Sequence, residues 1–182
     1  MINCIKMCAV GTGYFSQFHF DAWSRLGVNL KGVCSLNLKD AKKVANNFSN
    51  CQGFSDYQCM MDTVKPNLID IIVPPSEQFS IMKEAIDRGI NIICQKPFTT
   101  SLSEAEKVLD MASTADVRII VHENFRFQPW HVQIKGMLDQ NLIGDPYQVS
   151  VRMRPGDGQG ADAYLNRQPY FQKMKRFLIH EP

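Results

Sequence analysis

Short apolar runs and amphipathic stretches alternate along the first 121 residues of this 182-residue chain. The apolar runs are rich in β-branched residues and predict strands over Ile2–Val10, Leu30–Ser35, Leu68–Val73, Ile90–Cys94 and Arg118–Val121. The stretches between them have helical periodicity over Tyr14–Leu26, Leu38–Phe48, Glu77–Arg88 and Leu102–Thr114. Such alternation predicts an α/β fold of the Rossmann type, a parallel sheet with helices on both faces.

The ends of the predicted helices carry matching signals. Gly27 and Gly89 follow periodic stretches and suit left-handed C-terminal caps, and Ser101 with Glu104 has the spacing of a capping box. Right-handed crossovers bring the N-termini of these helices to the carboxyl edge of the sheet. Because ligands of open α/β sheets bind at that edge, we expect the binding site there.

A glycine-rich turn separates the first predicted strand from the first predicted helix. Its sequence, Gly11-Thr12-Gly13-Tyr14-Phe15-Ser16, matches the G-x-G-x-x-(G/A) pattern except that a serine takes the last position. The first glycine permits a tight turn, and the second lets a pyrophosphate approach the backbone. The helix dipole then faces the phosphates. The turn therefore predicts a bound dinucleotide, NAD or NADP.

The end of the second predicted strand bears on which of the two cofactors binds. NAD-binding domains usually have a carboxylate there for the ribose hydroxyls, but this chain has Ser35. Either the backbone and Asn37 hold the ribose, or a 2′-phosphate fits there with help from Lys39, Lys42 or Lys43. We expect NADP to bind at least as well as NAD.

The sequence pattern changes after Val121. A polar and aromatic segment leads to one predicted helix over His131–Gln140, a turn at Gly144–Pro146 and one alternating strand over Tyr147–Arg154. We therefore predict a dinucleotide-binding domain over residues 1–121. Residues 122–182 are predicted to be the beginning of an incomplete α+β second domain.

Composition narrows the possible partners. A formal charge of +2 without a basic block disfavours nucleic acid. No apolar run of about 18 residues is present, which predicts a soluble, cytoplasmic protein without membrane contact. The six cysteines lack C-x-x-C or paired metal spacing, so we expect no metal site and interpret most of them as small buried hydrophobes.

Several segments together resemble the Gfo/Idh/MocA oxidoreductases, the family of glucose-fructose oxidoreductase and inositol dehydrogenase. They are Gly11-Thr-Gly13 followed by His19, Ile71-Ile-Val-Pro74-Pro75-Ser, Gln95-Lys96-Pro97, Asn124-Phe-Arg126-Phe, and Leu142-Ile-Gly144. The resemblance extends over essentially the whole chain. It implies hydride transfer between a nicotinamide cofactor and a carbinol or carbonyl carbon of a sugar, cyclitol or similar polyol. It also implies a homo-oligomer formed through the complete second domain.

The resemblance also implies functional residues. Lys96 corresponds to the lysine of the family's Glu-Lys-Pro motif, beside both nicotinamide and substrate, and is the predicted catalytic residue. Independently, an ammonium at the carboxyl edge of the sheet can stabilise a developing alkoxide, although a surface lysine is the simpler alternative. Pro97 is a candidate for a cis peptide bond. The predicted cofactor-binding residues are Gly11, Thr12, Gly13, Tyr14, Phe15, Ser35, Asn37, Pro74, Pro75, Gln95, Lys96 and Asn124.

Two positions depart from the family pattern. Gln95 replaces the usual glutamate, and Gln78 with Phe79 stands where a histidine commonly follows the proline turn. By the family pattern His19 is structural and close to the cofactor. His131 is interpreted as helix surface or interdomain packing.

The resemblance places the family's catalytic base, from an Asp and His pair, in a segment that begins about where this sequence ends. We therefore expect little dehydrogenase activity from these 182 residues alone. A non-catalytic dinucleotide-binding sensor or partner subunit is the alternative, favoured by Gln95.

Overall fold

The computed structural model describes residues 5–152. Its centre is a parallel sheet of six strands: β1 (Lys6–Val10), β2 (Asn29–Cys34), β3 (Gln52–Phe54), β4 (Leu68–Ile71), β5 (Asn91–Cys94) and β6 (Ile119–Val121). The strand order is β3-β2-β1-β4-β5-β6, and every neighbouring pair is parallel. This is the order of the dinucleotide-binding doubly wound fold, with the reversal of direction between β1 and β4.

Five helices connect these strands: α1 (Ser16–Arg25), α2 (Leu38–Ala45), α3 (Tyr57–Val64), α4 (Pro75–Asp87) and α5 (Leu102–Thr114). Buried side chains form two separate clusters. One cluster joins α1 and α2 to the sheet through Phe20 and Ala41. The other joins α3, α4 and α5 through Met60, Met82 and Val108. The predicted α/β sheet with helices on both faces is therefore confirmed.

Two helix ends have the predicted glycine caps. Gly27 and Gly89 have φ angles of +64° and +66° and follow the C-cap residues Leu26 of α1 and Arg88 of α4. Helix α5 begins as predicted, because Ser101 Oγ accepts a hydrogen bond from the Glu104 amide at 3.3 Å. The Glu104 carboxylate accepts from the amide of Thr100 instead of closing the box on Ser101.

The structure adds one strand and one helix to the prediction. The short strand β3 has only three residues, and a Cβ on Gly53 would lie 2.6 Å from the Lys42 amide nitrogen in α2. Gly53 thus allows a strand and a helix to pack closely, which periodicity does not detect. Asp56 caps the start of helix α3, where its side chain accepts from the Cys59 amide at 2.6 Å. The predicted ends at Tyr14 and Phe48 were also wrong, since α1 begins at Ser16 and α2 ends at Ala45.

The chain divides after His122 into two compact units. The described part of the second unit contains a 3-10 turn (Phe125–Phe127) and helix α6 (Pro129–Asp139), which begins two residues before the prediction. The strand predicted over Tyr147–Arg154 was wrong as far as residue 152, and its last two residues lie outside the described range. An alternating segment needs a hydrogen-bonding neighbour to be a strand, and the described residues provide none there.

Three of the cysteines behave as the sequence predicts. Cys8, Cys34 and Cys94 lie in β1, β2 and β5 and are buried with free thiols. Burial raises the pKa of these thiols to about 12, about 11 and about 12. Between residues 5 and 152 no three potential metal ligands lie together. No helix within that range has the length and apolar character needed to cross a membrane.

Candidate active site at the carboxyl edge of the sheet

The turn after β1 is held tightly by its first glycine. Gly11 has a φ of +110°, and its amide donates to the Cys34 carbonyl at the end of β2 at 2.9 Å. A Cβ at this position would lie 2.0 Å from the Ile72 carbonyl oxygen, just beyond β4. Only glycine fits between these two strand ends, because both the dihedral angle and the contact exclude a side chain.

The second glycine of the turn has the opposite surroundings. A Cβ on Gly13 would have no heavy atom within 4 Å, so open space faces this backbone. The turn closes on α1 because the Ser16 hydroxyl donates to the Gly13 carbonyl at 2.7 Å and Ser16 is buried. Helix α1 has no acidic residue in its first turn and no side-chain cap. These features leave its positive dipole end uncompensated by side chains.

The hydroxyls of Thr12 and Ser35 lie 2.7 Å apart. This bond connects the glycine-rich turn to the residue that follows β2. Asn37 is the N-cap of α2, where its Oδ1 accepts from the Lys39 amide at 3.0 Å. Neither Ser35 nor Asn37 brings a negative charge to this corner of the sheet.

The segment after β5 is held by two glutamines. Gln95 continues the sheet by donating its amide to the Ile71 carbonyl at 3.0 Å. Its side-chain oxygen accepts from the Lys96 amide at 3.1 Å. On the other side, the buried Gln78 of α4 donates to the Pro97 carbonyl at 3.2 Å. The Lys96–Pro97 peptide bond is cis, as the sequence suggested.

A buried polar network lies directly behind this segment, and the sequence analysis missed it. Asp70, fully buried in β4, accepts through Oδ2 from Trp23 Nε1 at 2.7 Å and lies 2.8 Å from His19 Nδ1. The other ring nitrogen of His19 lies 2.8 Å from Gln95 Nε2. Asp70 Oδ1 has no partner within the described range. A charged residue inside an apolar run was the one sequence signal for this network.

His122 is the final member of the network. Its Nδ1 lies 3.2 Å from His19 Nε2, and the two rings meet edge to face with centroids 4.4 Å apart. Burial and the neighbouring His19 hold the pKa of His122 below its usual value of 6.5, although Asp70 acts in the opposite direction. His122 is therefore expected to be neutral at pH 7.

The remaining predicted residues lie in two places. Pro74 precedes α4, Pro75 is its first residue, and both are at the carboxyl edge of β4. Asn124 belongs to the second unit, where its carbonyl accepts from the Phe127 amide at 3.1 Å. In that unit His131 Nδ1 lies 2.7 Å from the Phe125 carbonyl oxygen. His131 is exposed on α6, which agrees with the interpretation as helix surface.

One cavity lies away from most of the predicted residues. It is a groove of about 610 Å³ between α1 and α2, lined by both acidic and basic side chains, including Asp21, Asp40 and Lys43. It reaches the turn at Thr12, Gly13 and Tyr14 but includes neither Ser35 nor Lys96. Since cofactors of this fold bind outside the carboxyl ends of the strands, we place the candidate site at the edge and not in the groove.

Residues 5–123 match a family model described as an oxidoreductase family with an NAD-binding Rossmann fold, GFO_IDH_MocA. The chain belongs to the Gfo/Idh/MocA oxidoreductase family. The match covers the whole described sheet and ends just after His122.

Relatives within the Gfo/Idh/MocA family include two D-apiose dehydrogenases. The protein from Rhizobium rhizogenes is 28% identical over 97% of this chain and 50% of its own length. The protein from Paraburkholderia graminis is 27% identical over 99% of this chain and 47% of its own length. This chain therefore spans about half the length of these curated relatives.

Solved structures show the same fold. An oxidoreductase from Agrobacterium radiobacter, in complex with NAD+, L-tartaric acid and magnesium, superposes with a TM-score of 0.74 at 28% identity. That alignment covers 79% of this chain and 42% of the other. A scyllo-inositol dehydrogenase from Lactobacillus casei has a TM-score of 0.71 at 18% identity, over 78% of this chain and 42% of its own, and shows the fold alone.

Proposed function

We propose that this chain is the cofactor-binding half of an NAD(P)-dependent dehydrogenase. The observation that carries this proposal is the contrast between the two glycines of the turn. Gly11 is enclosed by the ends of β2 and β4, whereas Gly13 faces open space beside the uncapped N-terminus of α1. This combination fits a pyrophosphate, which needs close backbone approach and a positive dipole end.

The other cofactor-binding residues follow from this orientation. The pyrophosphate would lie on the backbone of the turn, from Gly11 to Phe15. The adenosine ribose would lie by Thr12, Ser35 and Asn37. The nicotinamide end of the cofactor would extend past Pro74 and Pro75 towards Gln95 and Lys96. Asn124 is proposed as a further contact on the basis of the family resemblance alone.

The corner at Ser35 supports binding of either cofactor, with NADP at least as well as NAD. A carboxylate at this position would repel a 2′-phosphate, and the chain has a hydroxyl already bonded to Thr12. Exposed lysines at positions 39, 42 and 43 on α2 provide positive charge in the same region.

The proposed reaction is hydride transfer at a carbinol or carbonyl carbon of a sugar, cyclitol or similar polyol. The nicotinamide supplies the hydride chemistry when the cofactor is bound. Lys96 would donate a hydrogen bond to the substrate oxygen and stabilise negative charge as it develops there. The name of the two curated relatives, D-apiose dehydrogenase, supports this substrate class.

Calorimetric titration of the 182-residue chain with NAD and with NADP tests the proposal. We expect binding of at least one, and loss of binding in Gly13→Val, because the valine side chain fills the open space beside the backbone. Gly136→Val is the matched control, since a Cβ there meets only Gln140 Nε2 at 4.0 Å and Gly136 lies in α6. Equal affinity in Gly13→Val and the control would reject the assignment.

A non-catalytic dinucleotide-binding subunit is the second candidate, favoured by the uncharged Gln95 beside Lys96. The two candidates share cofactor binding and differ in turnover. A panel of polyols and sugar acids, tested with both cofactors on a full-length version of the protein, distinguishes them. Steady-state turnover above about 1 s⁻¹ would exclude the non-catalytic alternative.

A further inference from the structure

Polar groups of five residues form one connected hydrogen-bond chain through the interior of the first unit. It runs from Trp23 through Asp70, His19 and the side chain of Gln95 to the backbone amide of Lys96. The chain connects α1, β4 and the segment after β5, which are distant in sequence. Its chemistry fixes which atom donates at each step.

At the Trp23 end of this hydrogen-bond chain, Asp70 is the acceptor. The indole N–H of Trp23 can only donate, so Asp70 Oδ2 accepts from it at 2.7 Å. The same oxygen lies 2.8 Å from His19 Nδ1. If Oδ2 is a carboxylate oxygen, it accepts from both groups, and His19 then carries a proton on Nδ1.

At the Lys96 end, the contacts of Gln95 also bear on which nitrogen of His19 carries the proton. The Lys96 amide can only donate, so the atom of Gln95 that faces it at 3.1 Å is the carbonyl oxygen. The NH₂ group of Gln95 then faces His19 Nε2 at 2.8 Å. Because NH₂ only donates, His19 Nε2 must present a lone pair. The two ends together fit a His19 whose Nδ1 donates to Asp70 and whose Nε2 accepts from Gln95.

We propose that Gln95 and His19 are positioning residues that fix the Lys96 backbone through a relay of donated hydrogen bonds anchored on Asp70. Every bond in this relay points towards the buried carboxylate, so each one polarises the next. The functional importance of the relay rests on the proposed role of Lys96.

The relay gives the amide of Gln95 a role that a carboxylate does not fill. A carboxylate has acceptors only, so Gln95→Glu cannot donate to the lone pair of His19 Nε2. The imidazole would then carry protons on both nitrogens, between two carboxylates. Among residues 5–152, His122 is the other titratable group that faces His19, at 3.2 Å.

Nuclear magnetic resonance of the ¹⁵N-labelled 182-residue chain tests this directly. Long-range ¹H–¹⁵N spectra of the imidazoles report which ring nitrogens carry protons. At neutral pH we expect His19 to be protonated on Nδ1 alone, and to be protonated on both nitrogens in Gln95→Glu. Gln52→Glu adds the same charge on the exposed edge strand β3 and should leave His19 unchanged.

A second readout follows the far end of the relay. Gln95→Met removes both side-chain hydrogen bonds, and we expect hydrogen exchange of the Lys96 amide to accelerate roughly fivefold. A wild-type His19 protonated on Nε2, an unchanged His19 in a folded Gln95→Glu, or an unchanged Lys96 amide in Gln95→Met would each overturn the proposal. If Gln95→Glu does not fold, the wild-type spectrum and Gln95→Met still decide. These spectra need no cofactor, so a failure to bind NAD(P) would leave the result intact.

Discussion

Alanine substitutions at the two glycines of the turn should differ sharply in their cost to stability. Gly11→Ala places a Cβ 2.0 Å from the Ile72 carbonyl oxygen and requires a side chain at a φ of +110°. Gly13→Ala has no neighbour within 4 Å. The two variants add the same methyl group only two residues apart, so each serves as the control for the other.

The magnitude follows from two costs at Gly11. A backbone conformation unfavourable for a residue with a Cβ costs about 1 to 3 kcal/mol. Forcing a methyl group against neighbouring backbone costs about 1 to 3 kcal/mol more. The sum is about 2 to 6 kcal/mol, a large part of the roughly 5 to 15 kcal/mol that stabilises a typical domain. For Gly13→Ala we expect a change within about 0.5 kcal/mol.

Urea denaturation followed by the fluorescence of Trp23, which packs in the first unit, measures both free energies of unfolding. Trp130→Phe removes the second tryptophan in α6, so that the signal comes from the first unit alone. A Gly11→Ala variant as stable as wild type would refute the reasoning. A Gly13→Ala variant that is equally destabilised would do so as well.

Three further predictions concern the same edge of the sheet. Asp70→Ala leaves the buried donors of Trp23 and His19 unpaired and should lower the free energy of unfolding by about 2 to 5 kcal/mol in urea titrations; a loss below about 1 kcal/mol would contradict the network. The pKa of His122 is depressed in the folded state, so the unfolded state binds more protons as the pH falls through about 6.5. Stability should therefore decrease from pH 7.5 to 5.5, and less steeply in His122→Gln; parallel profiles would contradict this. Ser35→Asp should shift the cofactor preference towards NAD by about 1 to 3 kcal/mol in calorimetry, through repulsion of the 2′-phosphate, and a wild-type preference of tenfold or more for NAD would contradict the expectation for Ser35.

Features whose cause is local could be predicted from the sequence. Gly27 and Gly89 follow amphipathic stretches and adopt the positive φ that a helix cap requires. The turn at Gly11 follows an apolar run and precedes a helix, and it lies where the pattern predicts. In each case the residues that carry the sequence signal are neighbours in the chain.

Features that depend on distant neighbours could not be predicted. His19 meets Asp70 and Gln95 across 51 and 76 residues, and no periodicity encodes that meeting. Strand β3 is too short for alternation to be visible, because three residues hold barely one repeat. After Tyr147, in contrast, the strand pattern is visible but no strand forms, because the described range provides no pairing neighbour there.

The buried cysteines allow covalent labelling to report the opening of individual strands. A thiol reagent needs both access and thiolate, and Cys8, Cys34 and Cys94 have neither while their strands are closed. Cys59 on α3 is exposed and should be alkylated before these three in the folded protein. The later alkylation of the three strand cysteines, resolved peptide by peptide in a mass spectrometer, then measures how often each strand opens under native conditions.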